Sequence, residues 1–412
     1  LKKTSIWFLL LIAVLTLSVV LAACGGAEEP AGTEEPAGTE EPAESSVPEV
    51  VKIGFFAPIT GSNAAEGSAA RNAFQMAIDE ANASGEFPYE IQLIIVDDQS
   101  TESVAVSGAN QIVSDPLAVA ASGFWNSGPA AAASEVFKDA EIPLLIWGAI
   151  RESLTSPENY PYITRSAPTD KQENKPLAEK VLDEMGYKDW FIVSDTSSYG
   201  QGNLAAFTDE LAARSITALG TETVQEDATD FSAVVAKIKD SGAKAVYCGS
   251  TVNIGSLLKE QLYSAGVTDI LYCGISGMKT TDFFKIGAKA AEGALVVSPG
   301  IILEDSPEGQ AFIEAYNTAG YSEPIGAYTP YAYEAALIIL NALRACGDAP
   351  TPEAMVDAIL NSETTGIMGT TTFNEIGQTT NVAAYLNVAQ DGAWVPLEDS
   401  EYAAGARTFG GQ

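Results

Sequence analysis

Histidine is absent from this chain of 412 residues. That absence removes Ser-His-Asp triads, histidine-ligated zinc and histidine general bases together, so catalysis would have to rest on carboxylates, Lys, Ser or Cys. The four cysteines are Cys24, Cys248, Cys273 and Cys346, and no two form a C-x-x-C pair, which excludes a zinc ribbon or a thioredoxin-type motif. Ser276-Gly277-Met278-Lys279 fits S-x-x-K, the pattern of a Ser nucleophile with a Lys partner, but it is short and has no companion motif. There is no G-x-S-x-G, and the glycines after the apolar runs do not make a dinucleotide fingerprint. Asp97 and Asp98 suggest a metal only if further acids gather nearby, and none does in sequence. The simpler expectation is that one caps a turn and the other faces solvent. No cofactor or metal is called for, and the chain reads as a binder rather than an enzyme.

The chemistry that remains is recognition. Ser127 precedes Gly128-Pro129 and an alanine-rich helical stretch. A helix start offers free N–H groups and positive potential to an anion, and Ser there is equally a common plain N-cap.

The elements that must position such residues alternate regularly. Short apolar runs at 51–56, 91–96, 117–121 and 144–147 read as strands, separated by helical patterns at 64–83, 103–113 and 130–140. The pattern restarts after Arg165. Strands are expected at 190–194, 216–219, 245–248, 270–273 and 294–298, with helices at 174–185, 202–214, 231–241 and 254–265. A later helix at 331–345 and an alternating stretch at 385–388 extend neither unit and suggest that the chain crosses back. Continuous apolar strands between helices predict parallel sheets covered on both faces, so the fold class is α/β with two units of similar size. In open sheets of this kind ligands sit beyond the carboxyl ends of the strands. The loops there carry Trp125, Ser127, Gly148 and Ile150 in the first unit, and Tyr199, Thr251 and Ser276 in the second. Glycines, hydroxyls and aromatics together suit a small molecule fixed by hydrogen bonds and ring faces.

Ahead of these units, Lys2 and Lys3 precede an apolar stretch over 6–23 that stops at Leu21-Ala22-Ala23-Cys24. This has the layout of a secretory signal, and its small residues leading into a cysteine resemble a bacterial lipobox. By that resemblance residues 1–23 are removed and Cys24 carries lipid. The near-repeat of Glu-Glu-Pro-Ala-Gly-Thr within 24–49 can bury no core and reads as an extended acidic tether. Net charge is −34, which repels nucleic acid and anionic membrane surfaces and excludes a nucleic-acid role.

The loops Pro58-Ile59-Thr60-Gly61, Asp97-Asp98-Gln99-Ser100, Asn126-Ser127-Gly128, Tyr199-Gly200-Gln201-Gly202 and Thr229-Asp230-Phe231-Ser232, in this order and spacing, resemble the leucine/isoleucine/valine-type periplasmic binding proteins over about 51–395. The resemblance implies two Rossmann-like lobes joined by three crossovers, near Arg165, Val297 and Gly369. Lobe 1 would hold 50–166 and 299–370, lobe 2 would hold 167–298 and 371–400, and 401–412 would form a tail. It also implies a monomer that closes on its solute and hands it to an ABC permease driven by an ATPase, with membrane attachment through lipid. In the family, the residue matching Ser127 holds the ligand carboxylate, Gly148 offers backbone contact, Tyr199 closes from the second lobe and Tyr328 lines the pocket. Where amino-acid binders have a Thr and a carboxylate for the ammonium group, this chain has Ile150 and Ser276, and Glu66 stands where an aromatic is common. Either Glu66 supplies the charge to an amino acid, or the solute is another small acid or amide without an ammonium. Alternatives outside transport are a sensory ectodomain partner and an exported Ser/Lys hydrolase. Cys248 and Cys273 end two strands of the second unit and could pair outside the cytoplasm, although parallel strand ends often lie too far apart for disulfide geometry. Cys346 reads as a buried or free thiol.

Overall fold

The computed structural model describes residues 47–410. The signal segment, Cys24 and nearly all of the tether lie outside the described residues. No helix among the described residues is long and apolar enough to cross a membrane.

The first sheet contains β1 (Val50–Ala57), β2 (Glu90–Asp97), β3 (Ala118–Gly123), β4 (Leu144–Ile146) and β5 (Ile163–Arg165), all parallel in the order β2-β1-β3-β4-β5. The second contains β6 (Trp190–Asp195), β7 (Gly220–Val224), β8 (Ala245–Gly249), β9 (Leu271–Gly274) and β10 (Ala294–Pro299), parallel throughout. After a short hairpin of β11 (Thr364–Gly366) and β12 (Gly369–Thr371), two antiparallel strands join the second sheet. These are β13 (Ala384–Gln390) and β14 (Ala393–Pro396), which give the order β14-β13-β10-β9-β8-β6-β7. The second sheet is thus mainly rather than wholly parallel.

Central strands such as β3 and β6 are buried at every residue, because helices cover both faces. On the first sheet Phe55 meets Phe74 and Trp147 on one face, while Phe56 meets Phe124 and Phe137 on the other. Period-two alternation of side chains produces that division.

Several expectations need correction. The strand expected at 216–219 is instead β7, and Leu219 is exposed. β7 reads Gly-Thr-Glu-Thr-Val because it is an edge strand with a wet face, so its composition is polar where an apolar run had been sought. Helices Pro307–Ala319 and Pro352–Leu360 were not anticipated, though each begins with Pro after a capping Ser306 or Thr351. Cys248 and Cys273 are free and buried. Register explains this: Cys273 lies opposite Tyr247, one residue from Cys248, so the two thiols point to opposite faces of the sheet. Cys346 is free and half-buried.

After β5 the chain passes to the second sheet, and the stretch following β12 returns beside that passage. Arg165 is fully buried there. Its guanidinium donates to Gln378 Oε1 (2.7 Å), the carbonyls of Ala149 (3.1 Å) and Arg151 (2.7 Å), and Thr155 Oγ1 (2.9 Å). Arg165 N donates to Gly377 O and Thr379 N to Arg165 O, both at 2.9 Å. Two segments of the passage between sheets are therefore tied to one cation.

Candidate functional site

Loops at the carboxyl ends of the parallel strands of both sheets meet: Arg151 on the first side donates to the Ser198 carbonyl on the second at 3.5 Å. On the first side, Asp97 accepts from the N–H groups of Ile59, Thr60 and Gln99 and from the Thr60 hydroxyl, fixing the loop after β1. Burial pushes its carboxyl up, but those donors outweigh it and hold the group below the usual value. Asp98 does not face solvent as expected. It is fully buried, accepts from Ser100 N (2.8 Å), and is pushed up to about 7 by burial. Among the described residues no group of three or more Cys, Asp or Glu could hold a metal ion.

Ser127 is the first residue of helix Ser127–Asp139, with extended Asn126 before it, and no side chain caps that end. Asn126 Oδ1 is buried without a hydrogen-bond partner. Ser127 Oγ accepts from Arg151 N (3.3 Å), which places it against the loop carrying Gly148 and Ile150. A Cβ on Gly148 would stand 3.1 Å from Phe124 O and 3.3 Å from Trp125 Cα, so a larger residue would require that backbone to give by a few tenths of an ångström. Ile150 is buried, and its carbonyl accepts from Asp170 N (2.7 Å). That bond joins the first-sheet loop to the start of helix Asp170–Ala178, which packs on the second sheet.

One turn into that helix lies Glu173, a residue not singled out in the sequence. It is fully buried. The Tyr328 hydroxyl donates to Glu173 Oε1, and Ser276 Oγ donates to Oε2 at 2.7 Å. Ser276 Oγ and Tyr328 OH stand 3.1 Å apart. Gly277 N donates to the half-buried Tyr199 hydroxyl at 3.1 Å, so Tyr199 closes the same cluster. Glu173 is thus ringed by three of the residues expected to line the site. Burial pushes its carboxyl up to about 7 against the pull of the Tyr328 and Ser276 hydroxyls. The helix that holds it starts with a reciprocal Thr169–Gln172 capping box, and Asn174 is tied to Asn203 (2.8 Å) and Tyr247 (2.7 Å). The box was the signal available in sequence, because it moves the helix start from 174 back to 170 and brings Glu173 into the first turn.

Glu66 and Thr251 lie elsewhere. Thr251 is the partly exposed N-cap of helix Val252–Ser264. Glu66 lines a chamber of about 470 Å³ whose walls also include Lys279, Tyr385, Ile325 and Trp394. Burial pushes its carboxyl up to about 7, opposed by the Lys279 charge and by the N–H groups of Tyr328 and Ala327. Glu66 Oε2 is buried without a hydrogen-bond partner, a deficit worth about 1–3 kcal/mol. Lys279 Nζ bonds Tyr385 OH (3.0 Å), whereas Ser276 bonds Glu173 and Tyr328. The S-x-x-K pair is therefore not a nucleophile with its base.

Two mainly parallel sheets whose strand-end loops meet, with an uncapped helix start on one side and a buried carboxylate on the other, have the architecture of a two-lobed solute-binding protein. The family model for "Periplasmic binding protein" matches residues 50–393, and the chain belongs to that family, one of binding proteins rather than enzymes. It is 29% identical over 350 residues to Leu/Ile/Val-binding protein homolog 3 of Brucella melitensis, covering 84% of this chain and 94% of that one. Its fold is similar to that of the branched-chain amino acid transporter substrate-binding protein from Streptococcus pneumoniae in complex with isoleucine. That match has a TM-score of 0.75 and 24% identity, and covers 84% and 99% of the two chains. A solute-binding protein from R. palustris in complex with 4-hydroxybenzoate matches with TM-score 0.75 at 21% identity, covering 84% and 95%.

Proposed function

We propose that this protein captures a small α-amino acid between its lobes and delivers it to an ABC-type permease, held at the membrane outside the cytoplasm by lipid on Cys24. The solute carboxylate meets Ser127 and the open helix start behind it, where N–H groups and the helix dipole favour an anion. Its ammonium meets Glu173, with Tyr199 and Tyr328 against its body. Trp125, Gly148 and Ile150 form the wall on the Ser127 side, and Thr251 stands at the rim.

The observation that carries this reading is the buried Glu173 carboxyl group bonded by Ser276 and Tyr328. Ser276 occupies the position where amino-acid binders of the family have an acid, and Ser276 is itself hydrogen-bonded to Glu173. A carboxyl group is still present, carried by a neighbouring helix. Relatives named as Leu/Ile/Val-binding proteins support the solute class. The benzoate-type solute of the R. palustris neighbour marks the competing class, an acid without an ammonium.

Calorimetry with leucine and with its deamino analogue 4-methylpentanoate separates the two. A charge-assisted bond is worth about 1.5–3 kcal/mol, so Glu173→Gln should weaken leucine by roughly tenfold to a hundredfold and leave the analogue nearly unchanged. Ser127→Ala should weaken both. Equal binding of leucine and its analogue by the unaltered protein would overturn the amino-acid reading in favour of a simple acid.

A further inference from the structure

We infer that Arg151 is a positioning residue for solute capture: its backbone sets the Ser127 hydroxyl, and its side chain latches that loop to the helix carrying Tyr199 on the second side. The inference rests on the reading of Ser127 as the holder of the solute carboxylate, and adds the means by which that grip is tied to closure.

Three links converge on Arg151. Its N–H donates to Ser127 Oγ at 3.3 Å, which occupies a lone pair of that oxygen and leaves the hydroxyl hydrogen free for an anion. Its carbonyl accepts from Arg165 Nη1 at 2.7 Å, so the residue is bound to the cation of the passage between sheets. Its own guanidinium reaches across, with Nη1 donating to Ser198 O at 3.5 Å in the first turn of helix Ser198–Ala213.

That bond is long, and the packing around it carries the argument further. A Cβ on Gly202, in the same helix, would stand 2.9 Å from Arg151 Nη1 and 3.0 Å from its Cδ, and would collide with Asp170 Oδ2. The bare backbone at Gly202 is thus a seat where the Arg151 side chain and the buried Asp170 carboxyl meet. Asp170 lies in the field of both Arg165 and Arg151, so one buried carboxyl links the passage to the latch. Helix Ser127–Asp139 also packs beside Ser198–Ala213, and the same approach of the two sides brings the Ser127 helix to the seat. Glu152 and Lys171 pair nearby at 2.8 Å, but both are half-exposed, and such a pair contributes only about 0–1 kcal/mol. Opening the two sides takes Ser198 and Gly202 away from Arg151 and leaves its loop held from one side alone. A latch that forms after the solute has arrived slows release and does not speed entry.

The test is stopped-flow binding of leucine and of 4-methylpentanoate to the intact protein, since both present a carboxylate. Arg151→Met keeps the stem and loses the donors and the charge. It should raise the release rate of a bound probe roughly threefold to tenfold and leave the association rate within about twofold. Arg151→Lys should recover part of the loss, because one ammonium can still reach the Ser198 carbonyl. Gly202→Ala should also speed release by displacing the side chain from its seat, even though alanine favours a helix interior by about 1 kcal/mol. Combined with Arg151→Met it should add nothing further. An unchanged release rate in Arg151→Met, or additive effects in the double variant, would overturn the latch. So would equal changes in association and release together with a lower denaturation midpoint of the ligand-free protein, the mark of a purely structural residue. The amino-acid reading fails separately, in the unaltered protein, when leucine and its deamino analogue bind equally; the latch is then still read with the analogue. Should neither probe bind, small-angle scattering reads it without a solute: Arg151→Met should have the larger radius of gyration, and an equal radius would overturn the inference.

Discussion

Glu173 and Glu66 are two buried carboxylates whose groups are both pushed up to about 7 by burial, yet their surroundings differ. Glu173 has a hydroxyl on each oxygen, one from Tyr328 and one from Ser276. Glu66 has backbone N–H groups behind it, a lysine across a cavity and one oxygen with no donor. The first is a network with a hydroxyl donor on each oxygen. The second is unfinished. Burial alone therefore does not describe a carboxylate's surroundings; the count of donors does.

The largest effect expected is at Arg165, which faces the Glu173 side of this comparison and whose charge favours ionised Glu173. Arg165→Met keeps much of the volume but removes the donors to Gln378, Thr155 and the carbonyls of Ala149 and Arg151. Breaking a buried charged network by deleting one member costs roughly 3–5 kcal/mol. Chemical denaturation should show a loss of that size, and leucine binding should weaken because the Ile150 loop and the Glu173 helix no longer share a fixed anchor. A change below about 1 kcal/mol would mean that the crossover is held by its backbone bonds instead.

The two lobes were legible in the sequence because their central strands are buried on both faces and so read as unbroken apolar runs. β7 was not, since an edge strand with one wet face carries Thr and Glu. The loops after the strands named Ser127, Gly148, Tyr199 and Ser276, whose positions follow from strand order alone. Glu173 escaped because it lies on a helix after the crossover, and a helical acid looks like solvated surface until the facing lobe is in place. The separation of Glu66 from Ser276 escaped for the same reason. Whether residues 210 apart in sequence come together is decided only when the chain has crossed between sheets, and periodicity carries no distance across that crossing.

An intermediate effect follows from titration. The raised groups of Glu66, Glu173, Glu334 and Asp98 all bind protons more tightly folded than unfolded. Between the ordinary carboxylate range and about 7 the folded state holds more protons, so their contribution to stability is full at low pH and is lost as pH rises through about 7. The ligand-free protein should therefore melt at a lower temperature at pH 8 than at pH 5.5, provided that the overall charge repulsion is screened with salt. Bound leucine should flatten this trend, because its ammonium favours ionised Glu173 and drives out the proton. Calorimetry in buffers of different ionisation enthalpy should detect that released proton near pH 6.5. Absence of proton release would place the ammonium away from Glu173.

The smallest effect is at Glu66, and it separates the two carboxylates most directly. Glu66→Gln removes a charge that burial disfavours, while an amide oxygen can still accept from the N–H groups of Ala327 and Tyr328. Near pH 5 the native carboxyl is already protonated, so the substitution should change stability by less than about 0.5 kcal/mol. Near pH 8 the native group must ionise with one oxygen unpaired, and the variant should be the more stable by roughly 3 kcal/mol, since the rise from 4.5 to about 7 spans about 2.5 pKa units of about 1.4 kcal/mol each. Glu173→Gln should not gain in this way, because both hydroxyl donors that face its carboxylate would meet one oxygen and one N–H. Denaturation of the two variants at both pH values gives the contrast. A gain for both would mean that the hydroxyl pair contributes nothing to Glu173, and a gain for neither would mean that solvent already reaches Glu66.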